Sequence, residues 1–247
     1  MASAAAALLR LAVLAVLAAF LITPQSFAPL FAPLAPPGAP AIYDQGNLLM
    51  LALWHLATVC CAAAASTLVA AGLGILVTRQ SGAEFLPLSR ALVNIGQTFP
   101  PVAVLAIAVP LVGFGEVPTL IALFAYGLLP IFENTIVGLQ TCPPAVLEAA
   151  SGMGMSAHQR LFSVELPLAM PLMLEGVRLS LVINVGTATL GSTVAAKGLG
   201  EVIIAGLLSS NTAFVLQGGL ATGLMAILLY DGMVVLERRI CGTVRSE

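Results

Sequence analysis

The sequence predicts an all-α, polytopic membrane protein with about six transmembrane helices, and three observations carry that prediction. Of its 247 residues, 60% are hydrophobic and 8% are charged, against the roughly 25% of charged residues typical of a water-soluble domain. Six separate segments reach the roughly 20 mostly apolar residues that a crossing of the hydrocarbon core requires. The basic residues divide unequally between the two sides these segments define, as retention of Lys and Arg in cytoplasmic loops demands. A net charge of -2 excludes a generally basic nucleic-acid binder, because neutralising phosphates takes clustered Lys and Arg.

The first segment runs from Ala5 to Ile22. Ser26-Phe27-Ala28 has the small-residue form of a signal-peptidase site, but Pro29 directly behind it disfavours cleavage, and a retained helix is expected. Residues 23–47 hold no basic residue and are rich in proline, with Phe27-Ala28-Pro29-Leu30-Phe31-Ala32-Pro33-Leu34 followed by Pro36-Pro37. Proline removes backbone donors and fixes an extended course, so this stretch reads as an external linker. A core of residues 48–240 then carries spans from Leu48 to Val77, Leu92 to Val112, Val117 to Leu139, Pro171 to Ala195 and Ala213 to Leu236, ahead of a tail of residues 241–247. With the N-terminus inside, Arg10, Arg79, Arg90, Arg160, Arg238, Arg239 and Arg245 fall in the cytoplasm. Arg178 lies within the fifth span, and only Lys197 lands outside.

Enzymatic signatures are missing. A nucleotide-binding loop of the P-loop type needs Gly, four residues, Gly-Lys and then Ser or Thr, whereas the only lysine, Lys197, stands in Ala195-Ala196-Lys197-Gly198. His55 and His158 are too few and too far apart for a metal site, and no serine stands in a nucleophile elbow. Cys60, Cys61, Cys142 and Cys241 have neither disulfide-ladder nor metal-ligand spacing and read as small apolar fillers. No catalytic, cofactor-binding or metal-binding residue is expected in this chain.

The segment of residues 143–167, between the fourth and fifth spans, is too short and polar to cross. Pro144 at a helix start, the helix formers behind it and the glycines Gly152 and Gly154 predict a short surface helix, a turn and a second helix leading to Pro167. Glu148-Ala149-Ala150, three residues, Gly154, nine residues, Val164, one residue and Leu166-Pro167 resembles the EAA loop of permease subunits of ATP-binding-cassette importers, with valine for the usual isoleucine. The resemblance implies a type I importer permease fold, in which this loop forms a coupling helix seated on a separate ATPase. Glu148, Ala149 and Ala150 would dock, Gly154 would make the turn, and Leu166 and Pro167 complete the motif.

Further stretches narrow the resemblance. Asn94-Ile95-Gly96-Gln97-Thr98-Phe99-Pro100-Pro101, Leu128-Leu129-Pro130-Ile131 before Asn134-Thr135, Gly152-Met153-Gly154-Met155-Ser156 and Ala195-Ala196-Lys197-Gly198-Leu199-Gly200 are similar to the permeases for osmoprotectants such as glycine betaine, carnitine and choline. Two positions depart: Glu133 replaces the usual basic residue, and Ala196-Lys197 replaces a small pair. The resemblance implies cytoplasmic ATPase subunits that carry ATP and Mg, an external substrate-binding protein, and a second permease subunit, identical or related. It places the chain in the bilayer of a bacterial inner membrane with both termini cytoplasmic. Amino-acid and methionine permeases share the coupling loop, so another small solute is the alternative substrate. A carrier driven by an ion gradient is the alternative class, expected to show paired broken helices in two halves.

Two groups of residues inside the spans carry expectations of their own. Pro100 and Pro101 break the third span, and a backbone group freed in lipid is costly unless protein or water satisfies it. That break should face the bundle interior or a cavity, and with Asn94, Gln97 and Thr98 one to two turns before it, it is the candidate lining of the translocation path. Glu133, Arg178 and Asp231 lie at similar depth at about 1.5 Å per residue, and Glu175 is one turn from Arg178. Charges in a membrane pair or face water, so one polar cluster centred on Arg178 is expected, with three acids around one base at an inner gate.

Overall fold

The computed structural model describes residues 2–242, with side chains from Ala7 onward; Arg245, assigned to the cytoplasm from the sequence, lies outside them. Helix α1 (Ala2–Ile22) is followed by helical turns at Pro24–Phe27, Ala28–Phe31 and Ala32–Leu34, where an extended linker was expected. The prolines occupy the first or second position of each turn. A missing N–H costs nothing there and the fixed φ suits the turn, so proline spacing builds helical turns here. The segment folds back from α1 at 109°, and Phe27 and Phe31 pack on Phe20 with ring centroids 5.4 and 5.7 Å apart.

Asn47 caps α2 (Leu48–Val77), its side chain accepting from the Met50 amide. Helices α3 (Leu86–Thr98) and α4 (Pro101–Val112) meet at a 95° bend, and α5 (Glu116–Gln140) and the short α6 (Pro144–Gly152) follow. The fifth span departs from its expected bounds. A turn at Ala157–Arg160 and a π-helical turn at Leu161–Glu165 lead directly into α7 (Leu166–Ala188), which runs through both Pro167 and Pro171 and ends in the 3-10 turn Thr189–Val194. Pro167 sits in the first turn of α7, where proline is tolerated, so it does not end the preceding helix. An unexpected helix, α8 (Gly200–Leu208), precedes α9 (Thr212–Cys241).

Contacts fix the direction of every crossing. Along α2 and α5, Thr58 meets Glu116, Ser66 meets Phe124 and Gly74 meets Thr135, so these helices run parallel. Two parallel neighbours require an odd number of crossings between them, and the bent pair α3–α4 supplies it. Arg90 meets Glu133 and Gln97 meets the Tyr126 carbonyl, so α3 runs against α5, and α4, turned by 95°, returns to α5 where Leu105 clusters with Ala122. Helix α7 also opposes α5, with Gly127 on Ser180 and Gly138 on Ala169. It opposes α9 in turn, through Arg178 on Glu237 and the shared cleft of Val182 and Ala226. Arg10 of α1 meets Asp231 of α9, which brings the described ends of the chain to the same end of the bundle.

Small residues permit these approaches. A Cβ on Gly127 would stand 2.7 Å from both Ser66 Oγ and Ser180 Oγ, the kind of close crossing that small residues allow in membranes. The outward faces are apolar: Leu68 and Leu111 are each 79% exposed and Leu208 83%, a surface suited to lipid or a partner. At the opposite end from Arg10, Gln217 is fully buried; it donates to the Ala41 carbonyl and accepts from the Tyr43 amide. Asn211 donates to the Pro40 carbonyl, so two side chains of the α9 region clamp the proline-rich segment.

Candidate functional site

The segment after α5 is built as a protruding helix with a sharp stop. Pro143 and Pro144 start α6, and at its far end the Gly154 amide bonds to the Ser151 carbonyl while the Met155 amide bonds to the Ala150 carbonyl. That pair of bonds is a Schellman stop, which needs a left-handed residue. Gly154 supplies it at φ +81, with open space around its Cα. Ser156 then starts the next turn with a capping box, exchanging bonds with Gln159.

Exposure separates the docking residues expected from the sequence. Glu148, Ala149 and Gly154 are exposed, as are Val146, Met153 and Phe162. Ala150, expected to dock, is 2% exposed: it faces inward, where its small side chain lets α6 sit close to the turns that follow. Leu166 and Pro167 are half-buried, and Pro167 lines a cleft of about 470 Å³ with Pro171, Glu237 and Arg238.

The α6 segment is tied to the bundle through ions that motif matching did not single out. Glu165, 3% exposed, pairs with Arg79 at 2.6 Å and Arg160 at 3.0 Å. Arg160 also donates to Ser151 Oγ at 2.9 Å. Cys142 Sγ lies 3.7 Å from the Glu165 carbonyl oxygen; burial, and then the Glu165 carboxylate, push its thiol up against the opposing pull of Arg79.

The break at Pro100 and Pro101 lies at the surface of this chain and not in the interior of its own bundle. Asn94, Thr98, Phe99 and Pro100 are exposed, Gln97 and Pro101 half-buried, so the break opens on the outer surface of this chain and away from its interior. One backbone group of the break is satisfied from α5, where the Tyr126 hydroxyl donates to the Phe99 carbonyl; in the other direction, Gln97 Nε2 donates to the Tyr126 carbonyl of α5 at 3.0 Å. Thr98 Oγ1 bonds back to the Asn94 carbonyl. Tyr126 was missed in the sequence because nothing local marks a tyrosine that serves a carbonyl on another helix.

The single cluster expected around Arg178 is distributed over separate ion pairs. Glu133 is held by a two-pronged contact from Arg90 at 2.6 and 2.8 Å, and Asp231 pairs with Arg10 at 3.3 Å. Arg178 instead binds Glu237 at 2.8 Å and Glu175 at 3.7 Å, and stacks over the Tyr230 ring at 5.0 Å. Of the expected members, Glu175 alone pairs with it, and the two line one cleft of about 190 Å³ with Asn134 and Tyr230. Guanidinium groups from α1 and α3 neutralise Asp231 and Glu133, while Glu237 joins Glu175 at Arg178. Arg178→Glu is therefore expected to destabilise the fold by about 2 kcal/mol and to be rescued in part by Glu237→Arg. The yield of monodisperse protein in mild detergent checks this, and rescue by Asp231→Arg instead would contradict the pairing.

At the other end, Glu116 accepts from the Lys197 amide at 2.8 Å and from Thr58 Oγ1 at 3.2 Å. It joins α2, α5 and the turn after α7. The Lys197 ammonium lies 5.6 Å from the Trp54 ring centre, and His55, 1% exposed, meets the Val185 carbonyl at 3.0 Å. Ala195 holds φ +65 in this turn.

The family model described as the binding-protein-dependent transport system inner membrane component matches residues 70–241. The osmoprotectant import permease protein OsmY of Salmonella typhimurium is 40% identical over 196 residues, covering 79% of this chain and 83% of the relative. The choline transport system permease protein OpuBB of Bacillus subtilis is 36% identical over 198 residues, 80% of this chain and 90% of the relative. Among solved structures, a chain of the MetNI methionine ABC transporter in an inward-facing conformation superposes with a TM-score of 0.71 at 21% identity, over 78% of this chain and 95% of that one. That likeness shows a type I importer permease fold.

Proposed function

Because the chain belongs to the family of binding-protein-dependent transport system inner membrane components, we propose that it is the pore-forming subunit of an ATP-driven importer of quaternary-amine osmoprotectants such as glycine betaine. It would pair with a second permease subunit, identical or related. Cytoplasmic ATPase subunits holding ATP and Mg would receive α6, and an external binding protein would deliver solute. The end of the bundle that carries Arg10, Arg79, Arg90, Arg160 and Arg238 would be cytoplasmic, by retention of positive charge on that side, which puts both termini inside. The observation that carries this reading is α6 itself, a capped helix whose Glu148, Ala149, Val146 and Met153 are bare in the isolated chain. The exposed face of Asn94, Thr98 and Pro100 would line the path between the two permease subunits. There, water or the partner would serve backbone groups that lipid cannot.

Quaternary ammonium groups are held by aromatic cages. This chain has one Trp and three Tyr, with Trp54 and Tyr230 already facing Lys197 and Arg178, so selectivity is assigned chiefly to the binding protein. Solute would pass as closure of the ATPase dimer on ATP moves α6 and turns the bundle outward, and hydrolysis returns it. Extraction of the tagged chain in gentle detergent is expected to co-purify an ATPase subunit, and uptake of labelled glycine betaine is expected to require ATP alone. Uptake that collapses with a sodium or proton gradient, with no ATPase bound, would overturn the proposal in favour of a carrier.

A further inference from the structure

Arg160 and Glu165 are five residues apart, and in a regular α-helix that spacing turns two side chains about 140° away from each other. Here the turn Leu161–Glu165 is π-helical, and the Leu166 amide bonds to the Leu161 carbonyl. The wider turn, with its i to i+5 bond, brings the two side chains onto one side, where Glu165 Oε1 meets Arg160 Nε at 3.0 Å. The other oxygen, Oε2, meets Arg79 at 2.6 Å, and Arg79 stands just beyond the end of α2. Through Arg160 the same carboxylate reaches Ser151 on α6. One buried carboxylate therefore joins α6, α2 and the start of α7. Each oxygen has its own guanidinium, so losing one arginine leaves the carboxylate paired with the other but breaks the link between α2 and α6.

We propose that Glu165 is a positioning residue for coupling: with Arg79 and Arg160 it forms the rigid link through which displacement of α6 is passed to α2 and α7. This rests on the importer reading above. Glycine betaine moved per ATP hydrolysed, by the full complex in proteoliposomes, is the functional readout. Glu165→Gln and Arg79→Gln are each expected to lower that ratio about tenfold while complex yield and ATP hydrolysis stay near wild type. Arg79→Lys, which keeps the charge, is expected to restore most of it. A purely structural role would lower yield, hydrolysis and uptake together at constant ratio, and that result, or wild-type coupling in Arg79→Gln, would overturn the assignment. Amide hydrogen exchange on the solubilised chain tests the link without any solute: exchange across residues 144–160 is expected to rise about tenfold in either Gln variant. Unchanged exchange would overturn the link whatever the importer carries. A wild-type complex without ATP-dependent uptake, but with raised exchange in the variants, would refute the importer reading and leave the link standing.

Discussion

Gly154→Asp is expected to abolish uptake while leaving membrane insertion and the helical bundle intact. The residue sits at φ +81, and a Cβ added there would meet nothing within 4 Å, so the barrier inside the chain is the backbone strain of the left-handed conformation alone. Aspartate is among the residues that tolerate the left-handed conformation, at about 1 kcal/mol, and the Schellman stop should survive. What changes is the docking face, where a second carboxylate joins Glu148 on an exposed surface. Loss of one docking hot spot of about 2 kcal/mol corresponds to roughly 30-fold weaker binding of the partner. Gly154→Asn, which tolerates the same backbone without the charge, should retain most of the activity. Uptake assays with the ATPase pull-down measured in parallel check both, and normal uptake in Gly154→Asp would sink the docking role of α6.

Gly176→Leu is expected to have the largest effect on the fold itself. A Cβ at this position would stand 2.7 Å from the Pro130 carbonyl oxygen, 2.8 Å from Asn134 Cβ and 3.0 Å from Ile131 Cα. Two of these are backbone atoms of α5, so relief requires separating α5 from α7 along their shared length. Overpacking of this kind costs about 3 kcal/mol, a large share of a marginal stability. Gly186 lies on the same helix, exposed and with open space around it, so Gly186→Leu should be tolerated. The thermal midpoints of the two variants in detergent distinguish a requirement at the crossing from a general intolerance of leucine on α7; equal midpoints would count against the crossing.

Hydropathy located the long helices because a lipid-facing helix announces itself in composition, and the proline pair at Pro100 and Pro101 marked the bend between α3 and α4. The turn at Gly154 was legible for a similar reason: a glycine behind a helix-forming run is a local signal for a local geometry. Prolines misled where their position within a turn mattered more than their number, as in residues 24–34 and at Pro167. Ala149 and Ala150 look alike in the chain, yet one is exposed and the other buried, because facing depends on where the following turn returns.

The charges divide most clearly between what sequence and structure each decide. Which residues are ionisable, on which end of the bundle they gather and roughly how deep they lie follow from the chain alone, since hydropathy and the cost of burying charge act on every span separately. The partners do not follow. Arg10 takes Asp231 from the far end of the sequence, Arg90 takes Glu133 from another helix, and Glu165 meets Arg160 by way of a π-helical turn. Each pairing depends on helix rotation to within a fraction of a turn, and for α5 and α7 that rotation is constrained by the close packing of Gly127, Gly138 and Gly176 against neighbouring helices. Local sequence therefore determines the spans and the protruding α6, while tertiary packing decides which opposite charges come within about 4 Å, the range at which they bind.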